Sequence, residues 1–517
     1  MTQSENLYTN PVIAGFHPDP SICRVGNNFY LVTSSFQYFP GVPIFHSRDL
    51  VNWQQLGHCL TRKSQLNLED CKSSMGIYAP TLRYHQGRFY MVTTNMKDYS
   101  NFLVWSEQAE GPWSDPIVLD WEGIDPSLFF DQNGKVYISG TNSFVRAETP
   151  GIYQAELDIE TGKLLSERRL IWEGTGAIAP EGPHLYYRND MYYLLIAEGG
   201  TDYGHMVTIA RSTTPYGPFE SHPYNPILTH RSSGDAIQAT GHADFVVLED
   251  GSWWAVFLGI RPVSVPFVGR HHHLGRETFL APVYWSEDGW PSIGNNGKVA
   301  EQMSVEGLPL VSVVRGGGSS RDDFTDEQLQ PYWNFLRNPA VNSWSLQEKQ
   351  GWLTLHGTEH TLSDVASPAF IGRRQQYFTC KVTTRLSFDP VQAGEEAGLT
   401  VIMNEKFHYE LAVTLAADGR RTIIFRRQVG TLWKVEFEET IASSEFILSM
   451  DADPHQYTFY YAEPGQERRI AGSGECYLLS TEVAGGYTGV YIGLYATGNG
   501  KPCQAPAFFD WFDYKVE

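Results

Sequence analysis

The sequence predicts an all-β protein in which a five-bladed β-propeller is followed by a β-sandwich. A tight turn and an aromatic strand recur five times within the first 260 residues. Sheet-forming repeats of roughly 40–50 residues are typical of propeller blades, and the longer spacing here leaves room for loops. From about residue 321 onward, short apolar strands alternate with polar turns, without a convincing helical period. This second pattern predicts two packed antiparallel sheets.

Each of the five repeats begins with a hairpin turn and continues into a strand that carries Tyr or Trp. The pairs Asn133-Gly134 and Asp250-Gly251 are strong hairpin signals, because these residue types readily adopt the positive φ of tight turns. The five turn-and-strand segments are residues 26–30, 86–90, 133–137, 189–193 and 250–254. One unit repeated in this way predicts five equivalent sheets around a common axis.

A polar residue precedes the final aromatic by eleven or twelve positions in four of the five repeats. The five positions are Asp19, Ala79, Asp125, Glu181 and His242. Because the innermost strands of a propeller line its axis, we expect the three carboxylates to lie close together. An isolated Asp-Pro pair is an ordinary strand start. Three carboxylates in one register repel one another in a partly dry channel, which favours a catalytic role over a structural one.

The length and a glycine-rich stretch predict the domain organisation. A chain of 517 residues is too long for one hydrophobic core. The stretch Arg315-Gly316-Gly317-Gly318-Ser319-Ser320 has the composition of a linker. We therefore expect a propeller domain at residues 1–314, a linker at 315–320 and a sandwich domain at 321–517.

Composition excludes several classes of partner. The net charge is −21 and no cluster of Lys or Arg stands out, which argues against nucleic acid. No run of about 18 apolar residues is present to span a membrane. The first six residues carry no secretory pattern, and the six cysteines lack Cys-x-x-Cys spacing, so we expect a cytoplasmic protein with reduced thiols. Neutral substrates remain compatible with this charge.

Three clustered carboxylates are suited to glycoside hydrolysis. One carboxylic acid protonates the leaving oxygen while a second carboxylate activates water or attacks directly. A third carboxylate can raise the pKa of the acid. Glu181 is one methylene longer than the aspartates and is the candidate acid. The sequence shows neither a phosphate-binding Gly-rich loop with Lys-Ser/Thr nor a Gly-x-Ser-x-Gly nucleophile motif.

Four motifs resemble the signatures of glycoside hydrolase family 43. They are Phe16-His17-Pro18-Asp19-Pro20-Ser21, Gly123-Ile124-Asp125-Pro126-Ser127, Ala179-Pro180-Glu181-Gly182-Pro183 and Leu274-Gly275-Arg276-Glu277-Thr278. Over essentially the whole chain, the sequence is similar to β-xylosidases and α-L-arabinofuranosidases with a carboxy-terminal concanavalin-like sandwich that covers the mouth of the active site. The resemblance implies an inverting mechanism in which Asp19 is the general base and Glu181 the general acid. Asp125 then sets the pKa and orientation of the acid.

The resemblance also implies further site residues. Arg276 matches an arginine near the sugar hydroxyls, and an ion pair with Glu277 is its alternative. Phe36 and Tyr78 match aromatic residues that line the terminal-sugar subsite, with packing in the core as the alternative. His242 matches a histidine beneath the site that touches a divalent ion in some relatives; a histidine satisfied within the fold is the alternative. The segment Tyr78-Ala79-Pro80 stands where many strict β-xylosidases have Trp-Ala-Pro, which leaves the choice between xylose and arabinofuranose open.

The function predicted from these observations is an exo-acting, inverting β-xylosidase acting on β-1,4-xylooligosaccharides, with α-L-arabinofuranosidase activity in the same pocket. A strict α-L-arabinofuranosidase is the first alternative. A retaining fructosidase lacks its expected Asn-Asp-Pro-Asn-Gly motif here, and a non-catalytic carbohydrate-binding propeller would not need three carboxylates. We expect that no cofactor is required. A divalent cation such as calcium near His242 is an alternative. A homo-oligomer is compatible with the sequence. The His271-His272-His273 run is expected in a loop at the pocket mouth, with metal binding as its alternative.

Overall fold

The computed structural model describes residues 7–142, 149–309 and 318–516. Its regular structure is almost entirely β-strand. The exceptions among the described residues are a single 3-10 turn, Cys476–Leu479, and a one-turn helix α1, Thr481–Ala484. None of the helices in these ranges is long and apolar enough to cross a lipid bilayer.

The described residues before 310 form strands β1 to β26. In chain order these are β1 (Leu7–Thr9), β2 (Ser21–Val25), β3 (Asn28–Val32), β4 (Tyr38–Phe39), β5 (Gly41–Ser47), β6 (Gln54–Leu60), β7 (Thr81–His85), β8 (Arg88–Asn95), β9 (Ser100–Ser106), β10 (Ile117–Val118), β11 (Ile124–Phe130), β12 (Val136–Thr141), β13 (Ile152–Glu156), β14 (Arg169–Trp172), β15 (Glu181–Arg188), β16 (Met191–Glu198), β17 (Met206–Ser212), β18 (Glu220–Ser221), β19 (Leu228–Thr229), β20 (Gln238–Val247), β21 (Trp253–Ile260), β22 (Val263–Val265), β23 (Gly269–His271), β24 (Glu277–Trp285), β25 (Pro291–Ile293) and β26 (Gln302–Ser304).

These strands build successive antiparallel sheets around an axis. The sheets have the strand orders β2-β3-β5-β6, β7-β8-β9-β10, β11-β12-β13-β14, β15-β16-β17-β18 with β19 beside β17, and β20-β21-β24-β25. Their first strands, β2, β7, β11, β15 and β20, contact one another in turn, and β20 contacts β2 to close the ring. Each repeated turn of the sequence joins the first and second strands of one sheet.

The described residues after 317 form strands β27 to β41. They are β27 (Ser320–Asp322), β28 (Phe335–Leu336), β29 (Trp344–Ser345), β30 (Leu353–Leu355), β31 (Ala369–Arg374), β32 (Cys380–Phe388), β33 (Glu396–Asn404), β34 (Phe407–Leu415), β35 (Arg421–Val429), β36 (Leu432–Thr440), β37 (Glu445–Ala452), β38 (Gln456–Ala462), β39 (Arg469–Glu475), β40 (Tyr491–Thr497) and β41 (Ala507–Val516).

Two antiparallel sheets pack face to face in this part of the chain. One has the order β29-β30-β41-β32-β37-β38-β39 with β27 beside β41, and the other has the order β31-β40-β33-β34-β35-β36. Along β32, buried and half-buried positions alternate, as expected for a strand with one face in a core. Leu386, Leu399, Leu411, Phe425 and Phe446 belong to the shared core. The predicted all-β fold, a propeller followed by a sandwich, is confirmed.

The sandwich packs directly against the propeller. Strand β4 of the propeller pairs with β28 of the sandwich, and the rings of Tyr38 and Tyr491 stack with centroids 3.7 Å apart. Of the predicted linker, residues 315–317 and the boundary at 314 lie outside the described ranges. Ser320 already belongs to β27 and pairs with β41.

Candidate active site

The three predicted carboxylates lie at the starts of the inner strands. Asp19 precedes β2, Asp125 is the second residue of β11, and Glu181 is the first residue of β15. Asp19 and Asp125 have φ of 55° and 54°, and the registers of β11 and β15 shift beside Asp125 and Glu181. Positive φ and β-bulges re-aim side chains and cluster at functional sites. The repeated backbone irregularity therefore turns these carboxyl groups toward a common space.

Asp19 is held as a carboxylate. Its Oδ1 accepts a hydrogen bond from the Arg276 guanidinium at 2.9 Å, and its Oδ2 accepts one from the Ser34 hydroxyl at 2.6 Å. Burial opposes ionisation, but the charge of Arg276 and the nearby His242 outweigh it, so that the pKa of Asp19 lies below its ordinary value. Asp19 is thus ionised and able to accept a proton at neutral pH.

Glu181 has the opposite electrostatic environment. Burial and the negative charge of Asp19 raise its pKa to about 7, although Arg276 acts in the other direction. The nearest ring nitrogen, Nε2 of His205, lies 3.9 Å from Oε1. Glu181 therefore retains a proton near neutrality, as a general acid must.

Asp125 supports the strand that carries Glu181. Its Oδ2 accepts a hydrogen bond from the backbone N–H of Gly182 at 3.1 Å. Burial raises the pKa of Asp125 well above its ordinary value, and the charges of Glu181 and Asp19 raise it further. Asp19 and Glu181 thus both act on Asp125, and Asp19 acts on Glu181, as expected for three carboxyl groups in one cluster. The contact with Gly182 also orients the backbone next to the candidate acid.

Arg276 connects Asp19 to two further residues of the site. Besides Asp19, its guanidinium donates to the Thr201 hydroxyl at 2.9 Å and to the Tyr487 carbonyl at 3.3 Å. Arg276 is only 6% exposed, and its Nε finds no hydrogen-bond partner among the described residues. A buried unsatisfied donor is costly unless a ligand or water completes it. Arg276 is thus a buried cation that contacts the candidate base, Thr201 and Tyr487.

Phe36 and Tyr78 form an aromatic wall beside Arg276. Their rings lie 5.0 Å apart, and the Arg276 guanidinium lies 5.6 Å from the Phe36 ring centre. The ring of Tyr487 is 6.3 Å from Phe36 and 6.2 Å from Tyr78. Flat apolar rings beside hydrogen-bonding groups are suited to a sugar, whose C–H faces stack while its hydroxyls bond at the edges.

His242 lies beside Asp19, with Nδ1 4.0 Å from Oδ1 of the carboxyl group. Burial lowers its pKa, with Asp19 opposing and Arg276 reinforcing the shift. Its ring also packs against Gly182, where a Cβ atom would lie 2.8 Å from the imidazole. Across the described ranges, no group of three or more His, Cys, Asp or Glu is arranged to hold a metal ion. The calcium ion suggested near His242 therefore lacks support, as does metal binding by the His271-His272-His273 run.

Two family models match successive parts of the chain. One, described as glycosyl hydrolases family 43, matches residues 8–291. The chain belongs to glycoside hydrolase family 43. The second model, described as the β-xylosidase C-terminal concanavalin A-like domain, matches residues 321–515. This family 43 protein is therefore a glycosidase with the concanavalin-like sandwich that its sequence predicts.

Relatives of this family 43 protein align over nearly the whole chain. A non-reducing end α-L-arabinofuranosidase of Bacteroides ovatus is 45% identical, over 99% of this chain and 95% of its own length. A xylosidase/arabinosidase of Butyrivibrio fibrisolvens is 38% identical, over 98% of this chain and 99% of its own. The crystal structure of xylan β-1,4-xylosidase from Bacillus halodurans C-125 has a TM-score of 0.91 at 35% identity, covering 98% of this chain and 100% of that one.

Several residues at the site of this family 43 glycosidase escaped sequence reasoning. Ser34 and Thr201 carry no distinctive pattern, because single hydroxyl residues recur throughout the chain. His205 Nδ1 lies 3.2 Å from the Ala239 carbonyl, which only accepts, so Nδ1 carries the proton. The unprotonated Nε2 lies 3.9 Å from Oε1 of Glu181, beyond hydrogen-bond distance. His205 directly precedes β17, which belongs to the same sheet as β15 and Glu181. This position in the repeat is the one feature that could have indicated His205 as a site residue.

The sandwich contributes one further residue to the site, Tyr487. Residues 480–490, here called the cover segment, extend from the sandwich and bring Tyr487 to Arg276, Phe36 and Tyr78. Tyr487 lies more than 200 positions from Arg276 in the chain, in a stretch without a recognisable motif. Only the packing of the two parts of the molecule places it at the site.

Proposed function

We propose that this protein is an exo-acting, inverting glycosidase that releases terminal xylose from β-1,4-xylooligosaccharides and also accepts α-L-arabinofuranosides. One observation supports this proposal above the others. Two carboxyl groups in one cluster have opposite pKa shifts, with Asp19 lowered and Glu181 raised to about 7. Such a pair supplies a base and an acid at the same pH.

In the proposed reaction, Asp19 removes a proton from a water molecule that attacks the anomeric carbon. Glu181 donates its proton to the leaving glycosidic oxygen as the bond breaks. Asp125 holds the backbone at Gly182 and so orients Glu181. After the reaction, Asp19 carries the proton from water and Glu181 is ionised, so a proton must return from Asp19 to Glu181 by way of solvent.

The walls of the site support the release of a single sugar. Arg276 would donate to a sugar hydroxyl, while Phe36, Tyr78 and Tyr487 surround the ring of the terminal residue. Tyr487 enters from the sandwich, which narrows the space above the carboxylates. A pocket closed in this way receives the end of a chain, whereas an open cleft receives its middle.

A strict α-L-arabinofuranosidase is the second candidate. The relative from Bacteroides ovatus, 45% identical, carries that activity in its name, and Tyr78 replaces the Trp typical of strict β-xylosidases. Catalysis by family 43 members disfavours the alternative of a non-catalytic carbohydrate-binding propeller.

The division into a catalytic propeller at 1–314, a linker at 315–320 and a sandwich at 321–517 is part of this proposal. Short oligosaccharides are the proposed partner class. A cytoplasmic location and a homo-oligomeric state remain predictions from the sequence.

Proton NMR of the first sugar released tests the stereochemistry and the sugar preference together. Inversion at a β-xyloside yields α-xylose first, and inversion at an α-L-arabinofuranoside yields the β anomer first. Xylobiose and an arabinofuranoside are tested in parallel. We expect α-xylose first from xylobiose and the β anomer of arabinose first from the arabinofuranoside. The β anomer of xylose appearing first would refute inversion. Turnover of the arabinofuranoside alone would establish the second candidate, and turnover of neither substrate would refute both.

A further inference from the structure

The cover segment is hydrogen-bonded to the propeller at its two ends and at Tyr487. The Tyr487 N–H donates to the Ser74 hydroxyl at 2.8 Å. The Thr481 N–H donates to the His272 carbonyl, and the Val490 N–H donates to the His273 carbonyl. These backbone contacts hold both ends of the segment against the strip of propeller that leads into Arg276.

Glu482 makes the polar contacts that fasten the first part of the segment. Its Oε1 accepts hydrogen bonds from His272 Nδ1 at 2.7 Å and from the Tyr203 hydroxyl at 2.9 Å, and its Oε2 accepts one from the His272 N–H at 2.9 Å. Burial opposes its ionisation, but the bonds and charge of His272 lower the pKa of Glu482 to about 2. One sandwich carboxylate thus joins two separate loops of the propeller.

The glycines of this region show how closely the two backbones approach. A Cβ on Gly486 would lie 2.3 Å from the Ser74 hydroxyl, and a Cβ on Gly489 would lie 2.4 Å from the Leu274 carbonyl. Gly275, the residue before Arg276, meets the Gly489 backbone in the same way. A small displacement of the segment would therefore also shift the backbone beside Arg276.

We propose that Glu482 is a positioning residue for the sugar pocket, holding the cover segment so that Tyr487 closes over Arg276 and Phe36. Glu482 acts through Tyr487, whose carbonyl accepts from Arg276. Arg276 also donates to Asp19 and Thr201, so we expect these two bonds to hold the base when the Tyr487 contact is weakened. The inference rests on the proposed function, because it assigns the pocket to a terminal sugar.

Kinetics of the Glu482→Ala variant test the inference. We expect KM for the preferred disaccharide to rise roughly ten-fold, the scale of one lost charge-assisted hydrogen bond, while kcat changes by less than about three-fold. Loss of binding without loss of chemistry produces this split. Glu482→Gln keeps one acceptor oxygen, so its KM should lie between that of Glu482→Ala and that of the wild type.

Glu348→Gln is the control matched to Glu482→Gln. Glu348 pairs with His356 at 2.7 Å, the same distance as in the Glu482–His272 pair. Glu348 and Glu482 both belong to the sandwich. This variant should leave KM and kcat unchanged. A similar rise in KM in Glu348→Gln would show that any lost His–Glu pair has this effect, and would overturn the proposal.

A double-mutant cycle tests whether Glu482 acts through Tyr487. If it does, Glu482→Ala should add little to the KM effect of Tyr487→Ala, because the effects of residues coupled through one backbone segment are not additive. Fully additive losses, or a fall in kcat with KM unchanged, would refute the positioning role.

Hydrogen exchange separates this inference from the proposed function. In Glu482→Ala, amides of residues 481–490 should exchange faster, including that of Tyr487, whereas Glu348→Gln should leave them unchanged. Unchanged exchange in Glu482→Ala would overturn the inference even in an enzyme with the expected activity. An inactive wild type with faster exchange in the variant would refute only the proposed function.

Discussion

At the scale of single residues, the site depends on different surroundings for two chemically similar carboxyl groups, Asp19 and Glu181. Asp19 has a guanidinium and a hydroxyl as donors, whereas Glu181 has a buried neutral histidine nitrogen and a neighbouring negative charge. The burial of both groups penalises charge, so the partners decide which carboxyl is ionised. Of these two carboxyl groups only Asp19 accepts a hydrogen bond from Arg276, and the charge of Asp19 then raises the pKa of Glu181.

The pH dependence of turnover follows from Glu181. Because the acid must be protonated and its pKa is raised to about 7, kcat/KM on xylobiose should fall as pH rises through about 7. The base must be ionised, and the lowered pKa of Asp19 places the acidic limb below the ordinary carboxyl range. A pH–rate profile measures both limbs.

Glu181→Gln should remove the basic limb of this profile. It should also lower kcat on xylobiose by roughly 10²–10⁴-fold, the usual contribution of general acid catalysis. Aryl glycosides with good leaving groups need no proton and serve as the control substrate. Equal losses on xylobiose and on the aryl glycoside would remove Glu181 from the acid role.

At the scale of elements, a buried ion-pair network joins the inner strands of the propeller. Asp244 on β20 accepts from Ser21 and Ile22 of β2, from Arg83 of β7 and from Tyr186 of β15. Burial opposes ionisation of Asp244, but Arg83 lowers its pKa below the ordinary value. One carboxylate thus ties together four inner strands that are distant in sequence.

Removal of Asp244 should destabilise the propeller strongly. Asp244→Ala leaves Arg83 buried without its partner, which typically costs about 3–5 kcal/mol in free energy of unfolding. Urea denaturation of the full chain measures the change.

The exposed pair of Asp418 and Arg420 provides the comparison for this experiment. Asp418→Ala should unfold at the wild-type urea concentration, because exposed pairs contribute little. An Asp244→Ala variant as stable as the wild type would show that the network does not hold the ring together.

At the scale of the whole molecule, the candidate active site is complete only when both parts of the chain pack together. The cover segment, the β4–β28 pair and the stacked rings of Tyr38 and Tyr491 all lie across this junction. Phe16, Phe36 and Tyr38 share a buried cluster with Leu336 and Tyr495 of the sandwich. The aromatic wall of the pocket is therefore continuous with the junction.

Tyr38→Ala should weaken the junction. Tyr38 is fully buried, and truncation of a large buried aromatic side chain typically costs about 3–5 kcal/mol. We expect a lower thermal midpoint and a higher KM, because Phe36 shares the cluster.

Tyr38→Phe is the control for this truncation. Among the described residues the Tyr38 hydroxyl has no hydrogen-bond partner, so its removal should be neutral or slightly stabilising. A loss of stability in Tyr38→Phe equal to that in Tyr38→Ala would contradict packing as the cause.

The sequence by itself determined the all-β class, the repeated turns and the register that aligns Asp19, Asp125 and Glu181. These features are periodic and local, since a hairpin turn and the strand after it are encoded within about ten residues. Arg276, Phe36 and Tyr78 followed from motifs that resemble a known family.

Only the tertiary structure decided which carboxyl is charged and what covers the pocket. A pKa depends on burial and on charges from other strands, which no local pattern contains. Tyr487 and Glu482 reach the site from another domain across more than 200 residues of chain, and their stretch of sequence has no repeat or motif to mark it. Contacts of this kind arise from the packing of two domains, so they become visible only once the chain has folded.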